Sequence, residues 1–141
     1  MASIIGVAIR TRLLNVTAVT SLVSTRIYPQ VLPQGCTLPA VRYSLVSSSR
    51  ETLVGGVSGF ADSTVQVDAY AETYLDAQNV AEQIKLALMD WAGTSSDIEI
   101  RNIQLRNQMD MYEAPIDADD VGAHRVALDF EIIHQEPVPS H

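Results

Sequence analysis

Three segments of the sequence alternate apolar and polar residues with a period of two, and this pattern constrains the fold most strongly. It is clearest in residues 125–135, where Val126, Leu128 and Phe130 share one side. Residues 40–47 and 63–71 repeat it. A period of two is typical of β-strands with one buried face. The sequence therefore predicts antiparallel strands that cover a core on one side.

A fourth strand is predicted around residues 98–105, with an irregularity in its middle. Ile98 and Ile100 occupy one phase of the alternation, whereas Ile103 and Leu105 occupy the other. A β-bulge near Asn102 would produce this slip of one residue. We expect the strand to bend there.

Helical periodicity appears in two parts of the chain. Residues 3–15 carry apolar residues at steps of three and four, which predicts an amphipathic helix with Ser3 as its N-cap, and residues 17–24 predict one or two further turns. Residues 73–91 predict the second long helix, because Thr73 and Asp76 resemble a capping box. Gly93 is expected to end that helix.

The order helix, strand, strand, helix, strand, strand predicts a two-layer α+β fold. We expect a mainly antiparallel sheet of about four strands, with two helices packed on one face. Residues 1–141 are too few for a second core and predict a single domain.

The segments between the periodic elements are predicted from their composition. Residues 26–29 form a short extended piece before a loop, and the Ser/Gly-rich residues 48–62 predict a long, mobile β-hairpin loop. Residues 110–122 predict an acidic loop, and residues 136–141 a flexible C-terminal tail.

Charge is divided unevenly along the chain. The first 50 residues contain five arginines and no acidic residue, whereas the remainder contains 17 acids and four basic residues. The two parts carry +5 and −13, which gives the net charge of −8. This division suits electrostatically steered association with other copies or with partners. The alternative is that the arginines are spread around the fold.

No motif of an enzyme or a cofactor site is present. The cluster from Gly55 to Gly59 lacks the lysine of a phosphate-binding loop. His124 and His134 are about 30 Å apart at ~3.3 Å per residue, and each is expected at the surface or at a rim. Because no nucleophile motif surrounds them, we expect no enzyme activity and no cofactor.

Metal sites are also disfavoured. Asp117, Asp119 and Gly122 match three positions of a calcium loop, but Val121 and Leu128 occupy positions that require ligands. The single cysteine, Cys36, excludes an internal disulfide and is expected to be partly buried.

The sequence predicts neither a membrane helix nor a signal peptide. No apolar stretch approaches the roughly 18 residues of a membrane helix. Arg10 and Arg12 follow the short apolar start instead of preceding it, which is the wrong order for a signal peptide. We expect a soluble protein that is not exported by that route.

Short matching segments along nearly the whole chain resemble phage tail completion proteins, which are also called tail terminators. These proteins cap the tail tube and join it to the head. The matching segments are Leu13-Leu14, Arg26-Ile27-Tyr28-Pro29, Pro33-Gln34-Gly35, Leu38-Pro39-Ala40-Val41-Arg42-Tyr43, Val65-Gln66-Val67-Asp68-Ala69-Tyr70-Ala71, Asp110-Met111-Tyr112-Glu113, Arg125 and Asp129-Phe130.

The resemblance implies a structural virion protein with no catalytic role. It implies a homo-oligomeric ring, usually a hexamer, at the head-proximal end of the tail or neck, assembled in the host cytoplasm. The partners would be the major tail tube protein and a head-completion or connector protein, with the sheath added in a contractile tail. DNA would pass through without sequence-specific binding, and no membrane is involved. The alternatives are another neck or minor tail ring protein, or a small-molecule-binding α+β domain.

A ring assembly also suggests which residues form its surfaces. The exposed edge of residues 26–28 or of the strand at 41–46 is expected to pair with a neighbouring subunit. The candidate interface residues are Arg10, Arg12, Arg26, Tyr28, Arg42, Gly55, Gly56, Gly59 and Phe60. The candidate channel or rim acids are Asp110, Glu113, Asp117, Asp119 and Asp120.

Overall fold

The computed structural model describes residues 4–53, 56–113 and 122–136, with the backbone alone for residues 51–53 and 56–58. These residues form three helices and six strands, so the mixed α+β class is confirmed, whereas the expected two helices and four strands were too few. In chain order the elements are α1 (Ile5–Leu14), α2 (Thr17–Val23), β1 (Ile27–Pro29), β2 (Ala40–Leu53), β3 (Gly56–Ala71), α3 (Tyr74–Leu88), β4 (Gly93–Ser95), β5 (Ile98–Glu113) and β6 (Ala123–Gln135).

The six strands form one sheet in the order β1-β2-β3-β6-β5-β4. β1 pairs with β2 in parallel, and all the other neighbours are antiparallel. The two hairpins, β2–β3 and β5–β6, therefore join through β3 and β6 in the middle of the sheet. The short strands β1 and β4 lie at its two edges.

The helices pack on one side of this sheet, which we call the inner face. Alternate strand residues such as Val65, Val67, Leu128 and Phe130 point there and are fully buried. They form one core cluster with residues of α1, α2 and α3. The opposite side is the outer face, and it carries residues of the other phase, among them Asp68.

The sheet extends into segments that we expected to be loops. Ser48 pairs with Ser63 and Arg50 with Ala61, so most of the predicted loop at 48–62 is strand, and only Val54 and Gly55 lie outside the described residues. Segments rich in Ser and Gly form loops only on average. The backbone N–H and C=O groups of a serine can pair with a neighbouring strand as well as form a turn. The mobility of this hairpin stays a prediction.

The predicted acidic loop also begins later than expected. Residues 110–113 belong to β5, where they pair with residues 123–126 of β6. Residues 114–121 lie outside the described residues, as does the tail from residue 137 onward.

The predicted bulge and the predicted helix cap are both confirmed. The pairing of β5 with β6 shifts between Ile100 and Asn102, and it shifts again between Leu105 and Asn107. The Thr73 hydroxyl accepts a hydrogen bond of 3.1 Å from the backbone N–H of Asp76. Residue 3, the expected cap of α1, lies outside the described residues.

The predicted end of the second long helix was wrong. α3 stops at Leu88, and Gly93 begins β4 instead of ending the helix. Asp90, at φ 61°, turns the chain, and its N–H donates to the carbonyl of Ile103. β4 has only three residues and no apolar alternation, so the sequence gives no signal for it.

Candidate functional site

The arginine side chains of α1 form contacts with other elements of the same subunit. Arg10 Nε donates to the carbonyl oxygen of Ile27 at 2.8 Å. Arg12 Nε donates to the carbonyl oxygen of Ala87 at 3.2 Å, and its guanidinium lies 4.5 Å from the centre of the Trp91 ring. These contacts tie α1 to β1 and to the end of α3.

Two more arginines of the acid-free segment also have partners within the subunit. Arg26 Nε donates to the carbonyl oxygen of Pro39 at 2.9 Å, which links the residue before β1 to the residue before β2. Arg50 forms a two-point ion pair with Glu136. The hydrogen bonds from Arg50 hold the pKa of Glu136 below its usual range.

Arg42 is the fifth arginine, and it belongs to a charged cluster on the outer face. Arg42 and Asp68 are directly opposite each other on β2 and β3, and both Nε, at 2.9 Å, and Nη2 of Arg42 donate to Oδ2 of Asp68. Arg125 Nη2 on β6 donates to the same oxygen at 3.2 Å. We call Arg42, Asp68 and Arg125 the outer-face cluster.

Burial makes this cluster unusual for a sheet surface. The Asp68 carboxylate is 1% exposed, and its Oδ1 has no hydrogen-bond partner among the described residues. Burial would lower the pKa of Arg42, but the hydrogen bond and charge of Asp68 raise it above its usual value. Tyr70 lies beside both arginines, 5.7 Å and 5.8 Å from its ring centre, and burial raises the pKa of its hydroxyl.

All five arginines of the acid-free segment, four of which are candidate interface residues, therefore have a partner within the subunit, and these contacts account for their positions without a neighbour. Sequence reasoning put Asp68 on the outer phase of β3 but did not pair it with Arg42. The hairpin register between residues 40–47 and 63–71 was the signal that could have done so.

The candidate acids fall into two groups. Asp110 accepts hydrogen bonds from Gln78 Nε2 at 2.9 Å and from the Tyr74 hydroxyl at 3.3 Å, which connects β5 to the start of α3. Glu113 lies 3.6 Å from Arg125 and so extends the outer-face cluster. Asp117, Asp119 and Asp120 lie outside the described residues.

Of the other candidate interface residues, Tyr28 lies in the edge strand β1, and the described ones among the rest lie at or near the tip of the β2–β3 hairpin. Tyr28 is half-buried in β1 and pairs with Arg42 of β2. Gly56 pairs with Leu53 at the tip of the hairpin, and Gly55 lies outside the described residues. Gly59 has a φ of 84°, and Phe60 next to it packs 4.6 Å below the guanidinium of Arg101.

His134 is buried, so the expectation of a surface position was wrong for this histidine. Its Nε2 lies 2.7 Å from the Ser63 hydroxyl, and that hydroxyl lies 3.1 Å from the hydroxyl of Ser48. His134 continues the inward phase of Ile132, which places it on the inner face. The other histidine, His124, is half-buried between the rings of Tyr74 and Tyr112.

A cavity of about 360 Å³ opens beside this serine–histidine chain. It lies where the inner face of the sheet extends past the first residues of α1. Most of its wall surface is apolar, and the paired side chains of Arg50 and Glu136 also line it. The wall includes Ile4, Ile5, Pro29, Tyr43, Leu45, Ser48, Ser63 and His134.

The described residues contain no group of three or more His, Cys, Asp or Glu side chains that could hold a metal ion. The part of the chain that the structure describes also has no helix long and apolar enough to cross a membrane. Cys36 is half-buried and free, as expected.

Comparison with known proteins places this fold. No curated protein matches the chain significantly. A chain in the solved structure of the virion of a native gene transfer agent (GTA) particle has the same fold, with a TM-score of 0.66 and 16% identity over 92% of this chain and 93% of that one. A family model described as tail completion protein gp17 matches residues 7–135. Because that match covers nearly the whole chain, the protein belongs to this family of structural phage tail proteins.

Proposed function

We propose that this protein forms a ring that caps the head-proximal end of the phage tail tube and provides the surface that joins tail to head. The ring is a hexamer, and its centre lets DNA pass. One face contacts the major tail tube protein, and the other contacts a head-completion or connector protein. The sheath is a further partner where the tail is contractile.

The family match along residues 7–135 carries this proposal. The name of the family describes completion of a tail, and completion requires contacts with other virion proteins. The apolar side chains exposed at its sheet edges supply surfaces for such contacts.

The cavity does not favour the alternative of a small-molecule-binding domain. Three of its polar wall residues, Ser48, Ser63 and His134, are already bonded to one another, and His134 Nδ1 lies 3.1 Å from the carbonyl oxygen of Gln135. Two more, Arg50 and Glu136, form an ion pair. A ligand site usually presents polar groups that converge on the ligand and remain available to it. The structural role therefore agrees better with these contacts than ligand binding does.

Deletion of the gene tests the proposal directly. Particles made without the protein should accumulate as separate heads and tails, with tails of abnormal length, in negative-stain electron microscopy. The full-length protein supplied from a plasmid should restore joined particles. Joined, infectious particles formed without the protein would overturn the proposal.

A second experiment separates the tail end from other ring positions in the neck. An epitope tag inserted after Ala92, an exposed residue between α3 and β4, should bind antibody at the junction of tail tube and head. Antibody bound at the distal tail, or within the head, would instead favour another ring protein of the virion.

A further inference from the structure

One edge of the sheet is open along most of β2. β1 covers only residues 41–43 of β2, and the other neighbour, β3, lies on the opposite side. Residues 44–53 pair with β3 along one edge, and among the described residues no strand pairs with them along the other edge. Backbone N–H and C=O groups along an open edge are a template for pairing with another strand.

The opposite edge is open in the same way along β5. β4 covers residues 98–100, and the turn at Asp90 covers the carbonyl of Ile103. Within the described part of the chain, no strand lies beyond residues 104–113. The sheet therefore has two long open edges, one at each side.

Exposed apolar side chains concentrate at these two edges. Ile4, Val31, Leu45 and Val46 lie near the β2 edge and are 54% to 73% exposed. Tyr74, Leu75, Met109 and Tyr112 lie near the β5 edge and are 50% to 66% exposed. Of the ten large apolar residues exposed in the described chain, only two lie elsewhere: Leu86 in the last turn of α3 and Met89 directly after that helix.

We propose that the β2 edge of one subunit docks against the β5 edge of the next copy, and that this contact closes the ring. The inference rests on the proposed ring function and names its interface. The two edges are different surfaces, so the contact is heterologous, and repeating it by a closed rotation generates a ring. The occupant of each edge is therefore a second copy of this chain.

Strand directions allow this pairing. β2 and β6 run one way in the sheet, and β3 and β5 run the other way. When two copies lie side by side in the same orientation, β5 of one meets β2 of the next in antiparallel fashion. In β2, residues 47–50 lie between the register shifts at Leu45/Ser47 and Arg50/Thr52, and in β5 residues 107–113 follow the shift at Leu105/Asn107. Across the sheet Ser48 is level with Ile103, so these two stretches lie at opposite ends of their strands. They meet when the next copy is displaced along the strands by about seven residues, roughly 20 Å at ~3.3 Å per residue, so the strands are inclined to the ring axis.

The cavity beside β2 adds a side-chain contact to this backbone pairing. Tyr112 pairs with His124 and shares the phase of the buried Val126, so it belongs to the inner face. Leu45 of the cavity wall belongs to the same face. In a sheet that continues from one copy to the next, Tyr112 lies on the side where the neighbour's cavity opens.

Cysteine crosslinking within assembled tails tests this interface. In a Cys36→Ser background, Val46→Cys and Met109→Cys place one thiol at each edge. Treating purified tails with a short bis-maleimide should convert the monomer band on a denaturing gel into a ladder that ends at the mass of the closed ring. Either cysteine alone should leave the monomer band.

A matched pair of cysteines controls for proximity without specific docking. Val46→Cys combined with Leu86→Cys, which lies on the exposed side of α3, should give no ladder. A ladder from this control equal to that of the edge pair would overturn the interface, as would monomers only from the edge pair. Rings seen by electron microscopy on those same tails would then preserve the ring function, whereas tails without any ring would overturn the function as well.

Discussion

The two faces of the sheet bury different kinds of side chain, although the same strands form both. The inner face buries apolar residues such as Phe130 and Val67 against the helices, and their burial supplies most of the driving force for folding. The outer face buries the Asp68 carboxylate between two arginines, which contributes little net stability but is costly to disrupt. The contrast teaches that apolar residues hold the subunit together here, while charges fix how neighbouring strands are aligned.

The largest expected effect tests the apolar face. Phe130→Ala removes a fully buried ring from the middle of the sheet and should lower the free energy of unfolding by about 3–5 kcal/mol. Urea denaturation measures this loss. As a control, Val46→Ala, at an exposed position, should change the value by no more than about 0.5 kcal/mol. A similar small change at Phe130 would contradict the assignment of this face to the core.

The outer-face cluster should give the next largest effect. Asp68→Asn keeps the shape of the side chain but leaves two arginines without their shared carboxylate, and we expect a loss of about 2–3 kcal/mol because the arginines keep some access to water. Asp129→Asn is the matched control, since the Asp129 carboxylate forms no ion pair with the described residues. Equal losses for both variants would remove the distinction between the cluster and ordinary surface charge.

A smaller effect is expected from the polar end of the inner face. Ser63→Ala removes the hydroxyl that bonds to buried His134 and should cost about 1–2 kcal/mol. Ser49→Ala, on an exposed part of the same hairpin, should be nearly neutral. A neutral Ser63→Ala would indicate that His134 finds another partner and that this end of the face tolerates rearrangement.

The smallest expected effect concerns the exposed ion pair between Arg50 and Glu136, which we compare with the buried outer-face cluster. Because Arg50 lowers the pKa of Glu136, this pair stabilises the fold above the unfolded pKa of about 4.3, and the contribution is lost as pH falls through the lower folded pKa. Unfolding measured between about pH 6 and about pH 3 should show a shallower decline in Glu136→Gln than in the unmodified protein. An unchanged decline would show that the pair contributes nothing.

The inner face was predictable because burial leaves a period in the sequence. The alternation in residues 125–135, the capping pair Thr73 and Asp76, and the bulge near Asn102 all carry local signals, and the structure bears them out. β4 and the parallel pairing of β1 carry none, because each involves three residues whose partners are set by tertiary packing.

The charged sites were less predictable, because composition does not record where a guanidinium goes. The acid-free segment suggested an exposed basic surface, but Arg10, Arg12 and Arg26 donate to backbone carbonyls that only the folded chain brings near them. Their role at an interface stays a prediction. The buried position of His134 followed from the inward phase of Ile132, a signal that the usual exposure of histidine outweighed.

A reconstruction of the virion neck by cryo-electron microscopy, at a resolution that separates β-strands, tests the central claim most directly. The account predicts a ring of this protein at the head-proximal end of the tail tube, with the β2 edge of each copy against the β5 edge of the next. A tail end closed by a different protein, with this chain absent from the junction, would contradict it.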